Sequence, residues 1–476
     1  MKRYIAITAG IISLLCLSSC KKLLTEKLHS SLTPDNFYKT VADAESGLNG
    51  VFSQLTYQTY YQRGVYLIND LSCDLFHTNN ASADRDELYM GTYSANNGIL
   101  HDWWENSYTM IKNANDFIVN VPGIDIDSTI RNDLLGNAHF LRALAYFELA
   151  CLYGDVPLVL QSDASQDLFP KRTSEDSVYM QVIADLQYAE ANCYHTADIS
   201  PDKIGRVSSE AASALMARVY LQRASTSFAQ SSDSQSALDE CNKVIAYAAS
   251  HGDRLGLESS YADVFDVNKK NGKESMFAVQ FSSINSTVVN ITNLMFDPGS
   301  LGGYASFLPL DMFVNSFDPD DLRKQTNVGT VDAGITYISK YRDPNVVAGA
   351  FGGTNWMIIR YADVLLMQSE AMNNVDPGNA AKFDGINAVR TRAGLSAKLL
   401  SFSNTPDATA FNNAMINERY WELSIEGHRR IDLIRFGKFQ QVKALEGFTI
   451  DNNHLLMPLP QTELDVNPNL VQNPGY

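Results

Sequence analysis

Apolar side chains recur every three or four residues through most of this chain, in blocks separated by polar turns. Val41, Ala44, Leu48, Val51, Phe52 and Leu55 keep that spacing across residues 35–62, which predicts an amphipathic helix. Thr40 and Asp43 stand at its start as a capping pair. Trp104, Tyr108, Ile111, Asn115 and Ile118 form one stripe over 104–119. In the longest block, 129–153, Leu134, Ala138, Leu141, Ala145, Leu149 and Leu152 line up; Gly154 then stops the helix and Pro157 forbids its resumption. Ser174 and Ser208 occupy N-cap positions for helices over 175–192 and 209–224. Leu238, Cys241, Ile245 and Ala248 repeat the pattern over 235–250, and helices return at 359–374, 379–393 and 409–430.

Small residues share these stripes, notably Ala211, Ala212, Ala214 and Ala217. They let neighbouring helix axes come close, and short polar turns join the helices, so the blocks predict stacked helical hairpins packed like tetratricopeptide repeats. The literal repeat consensus is absent. The periodicity fails after residue 252. Residues 255–358 are rich in Gly, Ser, Asn and Asp, with short strands expected at 276–282 and 335–341. A stretch this long without helices is usually functional or disordered, and its many aromatics argue against disorder. The expected architecture is mostly α: a hairpin scaffold over 35–252 and 359–439 supporting an irregular, loop-rich binding part with a few short strands.

The first residues change the picture of where the protein works. Lys2 and Arg3 precede an apolar run over 4–17 that is too short to cross a bilayer, and the run ends Leu17-Ser18-Ser19-Cys20. This reads as a lipoprotein signal peptide, residues 1–19, whose cleavage leaves Cys20 to carry the lipid, because a thiolate is the side chain best able to take it. Residues 20–34 then form a tether. The chain carries a net charge of −17; removing the leader deletes two cations and no acid, which gives −19. No cluster of Lys and Arg offers phosphate neutralisation, so nucleic acid is excluded as a partner, and a neutral ligand suits the field better than an acidic one. Cys73, Cys151, Cys193 and Cys241 show no metal-ligand spacing, and their pairing is not readable from sequence.

Four stretches together resemble one family: "NAHFLRALAYFELACLYGDVPLV" (137–159), "IRYADVLLMQSEAMN" (359–373), "INERYWELSIEGHRRIDLIRFGKF" (416–439) and "LLMPLPQTELDVNPNLVQNPGY" (455–476). In kind, order and spacing they are similar to the SusD/RagB family of surface nutrient-binding lipoproteins. The resemblance implies four tetratricopeptide-like hairpins beneath an irregular ligand-binding half. It also implies an outer-membrane location, lipid-anchored and facing outward, and a SusC-like, TonB-dependent outer-membrane barrel as partner. The tether departs from the pattern in having no acid between Cys20 and Glu26.

The charged run 418–437 invites a catalytic reading, since paired carboxylates can serve as acid and base in glycoside hydrolysis. Glu418, Glu422 and Glu426 lie four apart, among Arg419, Arg429, Arg430, Asp432 and Arg435. Like charges at that spacing need cations to meet them. Arg430 can reach Glu426, Arg419 can reach Glu422, and Arg360, Arg390 and Arg392 can come from neighbouring helices. A structural ion network explains the residues without a reaction. No zinc pair, nucleophile elbow or phosphate loop is present, so no cofactor is expected. "DPDD" (318–321) lacks calcium-loop spacing and reads as a solvated turn, with calcium elsewhere left open.

A neutral oligosaccharide is gripped by aromatic faces under its C–H patches and by Asp, Asn, Gln or Arg at its hydroxyl edges. Loops on a rigid base are the place for them. Three loops qualify: 69–80 with Asp70, Asp74, Phe76, His77, Asn79 and Asn80; 93–104 with Tyr93, Asn96, Asn97 and Trp103; and 296–317 with Tyr304 and Phe307 among glycines. Trp356 precedes a motif helix. Trp103 and Trp104 point ~100° apart on a helix; Trp104 fits the apolar stripe, which leaves Trp103 as the ligand candidate. The expected function is glycan capture without catalysis. A glycoside hydrolase using Asp or Glu of 69–80 or 418–426, or a helical scaffold holding a peptide, are the rival readings.

Overall fold

A computed structural model describes residues 37–80, 82–161, 167–284, 288–331 and 334–476. Cys20, the leader and the tether to residue 34 lie outside them. Ten helices carry the architecture: α1 (Val41–Ser53), α2 (Gly98–Asn120), α3 (Ser128–Tyr153), α4 (Glu175–Asn192), α5 (Ser209–Arg223), α6 (Asp233–Ser250), α7 (Tyr361–Val375), α8 (Lys382–Arg392), α9 (Ala408–Glu422) and α10 (Arg429–Arg435). From α1 to α8 each helix packs on its successor, and α6 meets α7 across more than a hundred intervening residues. The predicted stack of hairpins is therefore continuous, with the loop-rich segment leaving it after α6 and rejoining it at α7. The alanines make the approach close: Ala211, Ala212, Ala214 and Ala217 are all fully buried.

Local signals account for most helix ends. Thr40 accepts from the Asp43 N–H while the Asp43 side chain accepts from Thr40, a complete capping box. Ser208 caps α5 through the Ala211 N–H, and Gly154 ends α3 with φ +71°. Three expectations need correction. The first helix stops at Ser53 and gives way to 3-10 and π turns over 54–62, with Tyr60 in a non-helical conformation. Ser174 does not cap α4; its hydroxyl meets Ser177, and Asp155 accepts the Glu175 N–H instead. The single helix expected over 409–430 breaks between α9 and α10, where Ile425 (φ +58°) and Gly427 (φ +80°) are left-handed.

Among the described residues three two-stranded antiparallel ladders hold the loop-rich part: β1 (Phe76–Thr78) with β3 (Phe307–Pro309), β2 (Ser275–Val279) with β6 (Trp356–Arg360), and β4 (Val328–Val331) with β5 (Ile335–Ile338). β1 and β3 join segments far apart in sequence, with Phe76 opposite Pro309 and Thr78 opposite Phe307. Cys73, Cys151, Cys193 and Cys241 are free thiols.

Candidate functional site

Beyond the β1–β3 ladder the two strands run on as a loop pair. The Asn79 N–H donates to the Ser306 carbonyl (2.9 Å) and its side-chain amide to the Ala305 carbonyl (2.9 Å). The Asn80 amide reaches the Tyr304 carbonyl and the Ser306 hydroxyl, both at 3.3 Å. From the other side, the Tyr304 and Ser306 N–H groups donate to the carbonyls of Leu294 and Met295, and Ala305 takes φ +43°. Tyr304 is thus fixed by its backbone while its side chain stays 61% exposed beside the exposed Asn79 and Asn80.

Beneath this surface lies a packed aromatic layer. Phe76, Phe296 and Phe307 sit 5.5–5.6 Å apart, Tyr66 is 5.1 Å from Phe296, and Trp356 stacks on Tyr341 at 4.6 Å. Phe76, Phe307 and Trp356 are fully buried, so these three expected ligand contacts are the support of the surface and not its face. The glycine loop 299–303 closes one edge. A Cβ on Gly302 would stand 2.3 Å from the Gly349 nitrogen, so only glycine lets the loop carrying Val347 and Phe351 come this near. Phe351 is 45% exposed, a residue the sequence offers as an aromatic but gives no reason to select. In the cleft between these loops burial pushes the Asp297 carboxyl up to about 6, with Arg342 pulling it back at 3.2 Å.

The other expected ligand residues lie elsewhere. Trp103 is buried against Tyr60 (4.6 Å) and Tyr61 (5.8 Å), and Trp104 is buried too. The unwound segment after α1 supplies the aromatic wall that covers Trp103. Tyr93 is buried and bonded to the His454 carbonyl and to Arg430. Asn96 is exposed, but its neighbours are tied elsewhere: Ala95 accepts from Gln461, and Asn97 caps α2 and bonds Glu87. Asp70 is buried and accepts the Gly427 N–H, and burial pushes its carboxyl up to about 8. Asp74 is paired with Arg429 at 2.7 Å.

Most of the charged run, all but Arg429 and Arg430, belongs to two ion sets. In the first, Glu422 is met by Arg323, Arg360 and Arg392; Glu418 by Arg323 and Arg390; and Glu426 by Lys340 and Arg360. Glu274 and Asp321 complete it, so five carboxylates face five cations. In the second, Asp363, Glu370 and Asp432 face Arg218, Arg419 and Arg435. Burial alone would raise the Glu422 carboxyl, but Arg392, Arg360 and Arg323 outweigh it and hold it far below the usual carboxylate range. Two expected pairs are wrong: Arg419 turns to Asp363 and Asp432, and Arg430 bonds Tyr93 and the His454 and Leu455 carbonyls. The break after α9 swings Arg430 away from Glu426. Asp321 is buried on Arg323, so "DPDD" is not wholly a solvated turn; Asp318 and Asp320 bond Lys398. Among the described residues one His/carboxylate group has the spacing to hold a metal, the partly exposed His101, Asp102 and Glu105.

Two family models match the sequence. One, described as the SusD family, covers residues 319–476; the other, described as starch-binding and associating with the outer membrane, covers residues 24–221. SusD-like protein P2 of Formosa agariphila is 30% identical, with 98% of each chain covered. Among solved structures, a SusD homologue from Bacteroides thetaiotaomicron superposes with a TM-score of 0.82 at 22% identity, covering 93% of this chain and 98% of that one. A laminarin-binding SusD-like protein gives 0.78 at 23% identity, covering 92% and 100%.

Proposed function

We propose that this chain, which belongs to the SusD family, is a non-catalytic outer-membrane lipoprotein that captures an oligosaccharide at the Tyr304 surface and passes it to a SusC-like, TonB-dependent barrel. The observation that carries the reading is the geometry at Tyr304. The backbone of an exposed tyrosine and two side-chain amides are held by hydrogen bonds over a buried aromatic layer, which suits a sugar's C–H face and hydroxyl edge. A fixed backbone leaves only the side-chain torsions to order on binding. The names of relatives, laminarin-binding and starch-binding among them, favour a glycan over a peptide. Lipidation at Cys20 would hold the protein at the membrane and keep ligand concentrated over the pore. The ion pairing of Glu422 and Glu426 supports binding over hydrolysis, since a carboxylate held low by two or three cations has no proton to give.

The test is a panel of neutral oligosaccharides titrated into the detergent-solubilised mature protein, with product analysis on the same samples. Binding without new reducing ends is expected, and Tyr304→Ala weakens it by roughly fivefold to tenfold, the worth of about 1 kcal/mol of stacking. Release of shorter sugars would overthrow the binder in favour of a hydrolase. A retained peptide with no effect of Tyr304→Ala would favour the scaffold.

A further inference from the structure

Two clefts adjoin where α1, the loop after α4 and strand β2 meet. The larger encloses about 410 Å³ and the smaller about 150 Å³, and Gly205, Arg206, Ala278 and Gln280 line both. Neither touches Tyr304. A chain of net charge −17 has a field that turns anions away, yet four cations line this double cleft: Lys203, Arg206, Arg254 and Lys273, against two acids, Asp202 and Asp253.

The state of those cations is the telling point. Lys203 is paired, with Glu45 at 2.5 Å and Asp202 at 3.8 Å. The other three have no carboxylate of the described residues within ion-pair distance. Arg206 donates to the Asn49 side chain at 2.9 Å and lies over the Phe52 ring at 5.4 Å, while Asp133 and Glu45 act on it only from further off. Arg254 has one long bond, 3.5 Å to the Ile199 carbonyl. By contrast Arg218, Arg419 and Arg435, which line the cavity beside Glu148, each have a carboxylate partner. Beside them the amides of Gln280 and Asn271, bonded to each other at 3.0 Å and to the Asn355 amide, form a fixed polar wall.

We propose that this double cleft is a second saccharide site, one that selects a sugar carrying an oxyanion, either a uronate carboxylate or a sulfate ester. Arg206, Arg254 and Lys273 meet the anion in the smaller cleft, with charge-assisted hydrogen bonds that a neutral sugar cannot make. The uncharged part of the sugar fills the larger cleft beside Phe52 and Gln280. The combined volume lies within the range of small-molecule sites.

Calorimetry on the solubilised mature protein tests this with methyl glucuronide, glucose 6-sulfate, methyl glucoside and inorganic sulfate as probes. At least one charged sugar should bind while the neutral glucoside does not compete, and added salt should weaken the binding. The double variant Arg254→Gln/Lys273→Gln removes charges from side chains that leave the core untouched, and should lose roughly tenfold or more in affinity. Preference for the uronate or for the sulfate ester identifies which oxyanion the cleft reads. Tyr304→Ala should change nothing here, which separates this site from the neutral-glycan surface. Equal affinity for charged and neutral sugars, indifference to the double variant, or inorganic sulfate binding as tightly as the sulfated sugar would each overturn the proposal.

Discussion

A half-buried carboxyl group with no cation at ion-pair distance is held neutral, and Glu148 is such a group. It accepts hydrogen bonds from the hydroxyls of Tyr61 and Tyr60 and lines a cavity of about 40 Å³. Arg218 Nε, Gln222 Oε1 and Asn69 Oδ1 also belong to residues lining this cavity, and none of these atoms has a protein partner. Burial pushes the Glu148 carboxyl up to about 8 from an ordinary 4.5. The folded state therefore holds this proton more tightly than the unfolded one. Its contribution to stability is intact below about pH 4.5 and declines as pH rises toward 8. Glu148→Gln cannot titrate, so its stability relative to the parent should climb across that window, by about 3 kcal/mol at neutral pH. Urea unfolding of both proteins at several pH values measures the difference; parallel curves would contradict it.

At the scale of elements, the turn between α9 and α10 decides where the charged run points. Gly427 has φ +80°, donates its N–H to Asp70, and would place a Cβ 2.6 Å from Val65 Cγ2. Gly427→Ala combines left-handed strain with a clash, and should lower stability by about 2 kcal/mol or more in denaturant titration. Tolerance of alanine without loss would show that the turn can relax. This turn also marks where sequence reading runs out. The four-residue spacing of Glu418, Glu422 and Glu426 continues straight through it, and the left-handed Ile425 leaves no mark in the sequence. Most long helices of the stack were legible because spacing and stop residues act locally. The ladder of β1 with β3 was not, since its partners lie more than two hundred residues apart. For the same reason the sequence singles out the loops at 69–80 and 296–317, which the structure joins, but not which of their aromatics face outward. Phe76 and Phe307 disappear into the ladder's underside while Tyr304, just past its end, remains exposed.

At the scale of the whole molecule, one balanced ion set ties the helical stack to the loop-rich part and the other ties α5, α7, α9 and α10 to one another. Arg360 at the end of β6 reaches Glu422 on α9, Glu426 in the turn and Glu274 beside β2, while Asp363 on α7 joins Arg218 on α5 to Arg419 on α9. In four of these carboxylates burial works against the charge, and the facing cations win. Arg419 and Arg218 hold Asp363 low, Arg392, Arg360 and Arg323 hold Glu422 low, Arg360 and Lys340 hold Glu426 low, and Arg419 and Arg435 hold Asp432 low. Groups with folded values below their unfolded ones contribute stability that is complete above the unfolded values of 3.8 and 4.5 and is lost as pH falls through the folded ones. Glu148 and Asp70 act in the opposite sense, their penalty growing from about those same values up to about 8. The two trends meet on the acid side of neutrality. Stability should therefore peak near pH 5, fall steeply below pH 4 as the ion sets are protonated, and decline more gently toward pH 8. Arg360→Met should abolish much of the acid limb and lower the plateau by about 3–5 kcal/mol, because it leaves Glu274, Glu422 and Glu426 short of a buried cation. Denaturant midpoints of both proteins from acid to mildly alkaline pH test this: a parent curve that rises steadily to pH 8, or a variant with an unchanged acid limb, would mean that the two sets do not govern how this fold responds to pH.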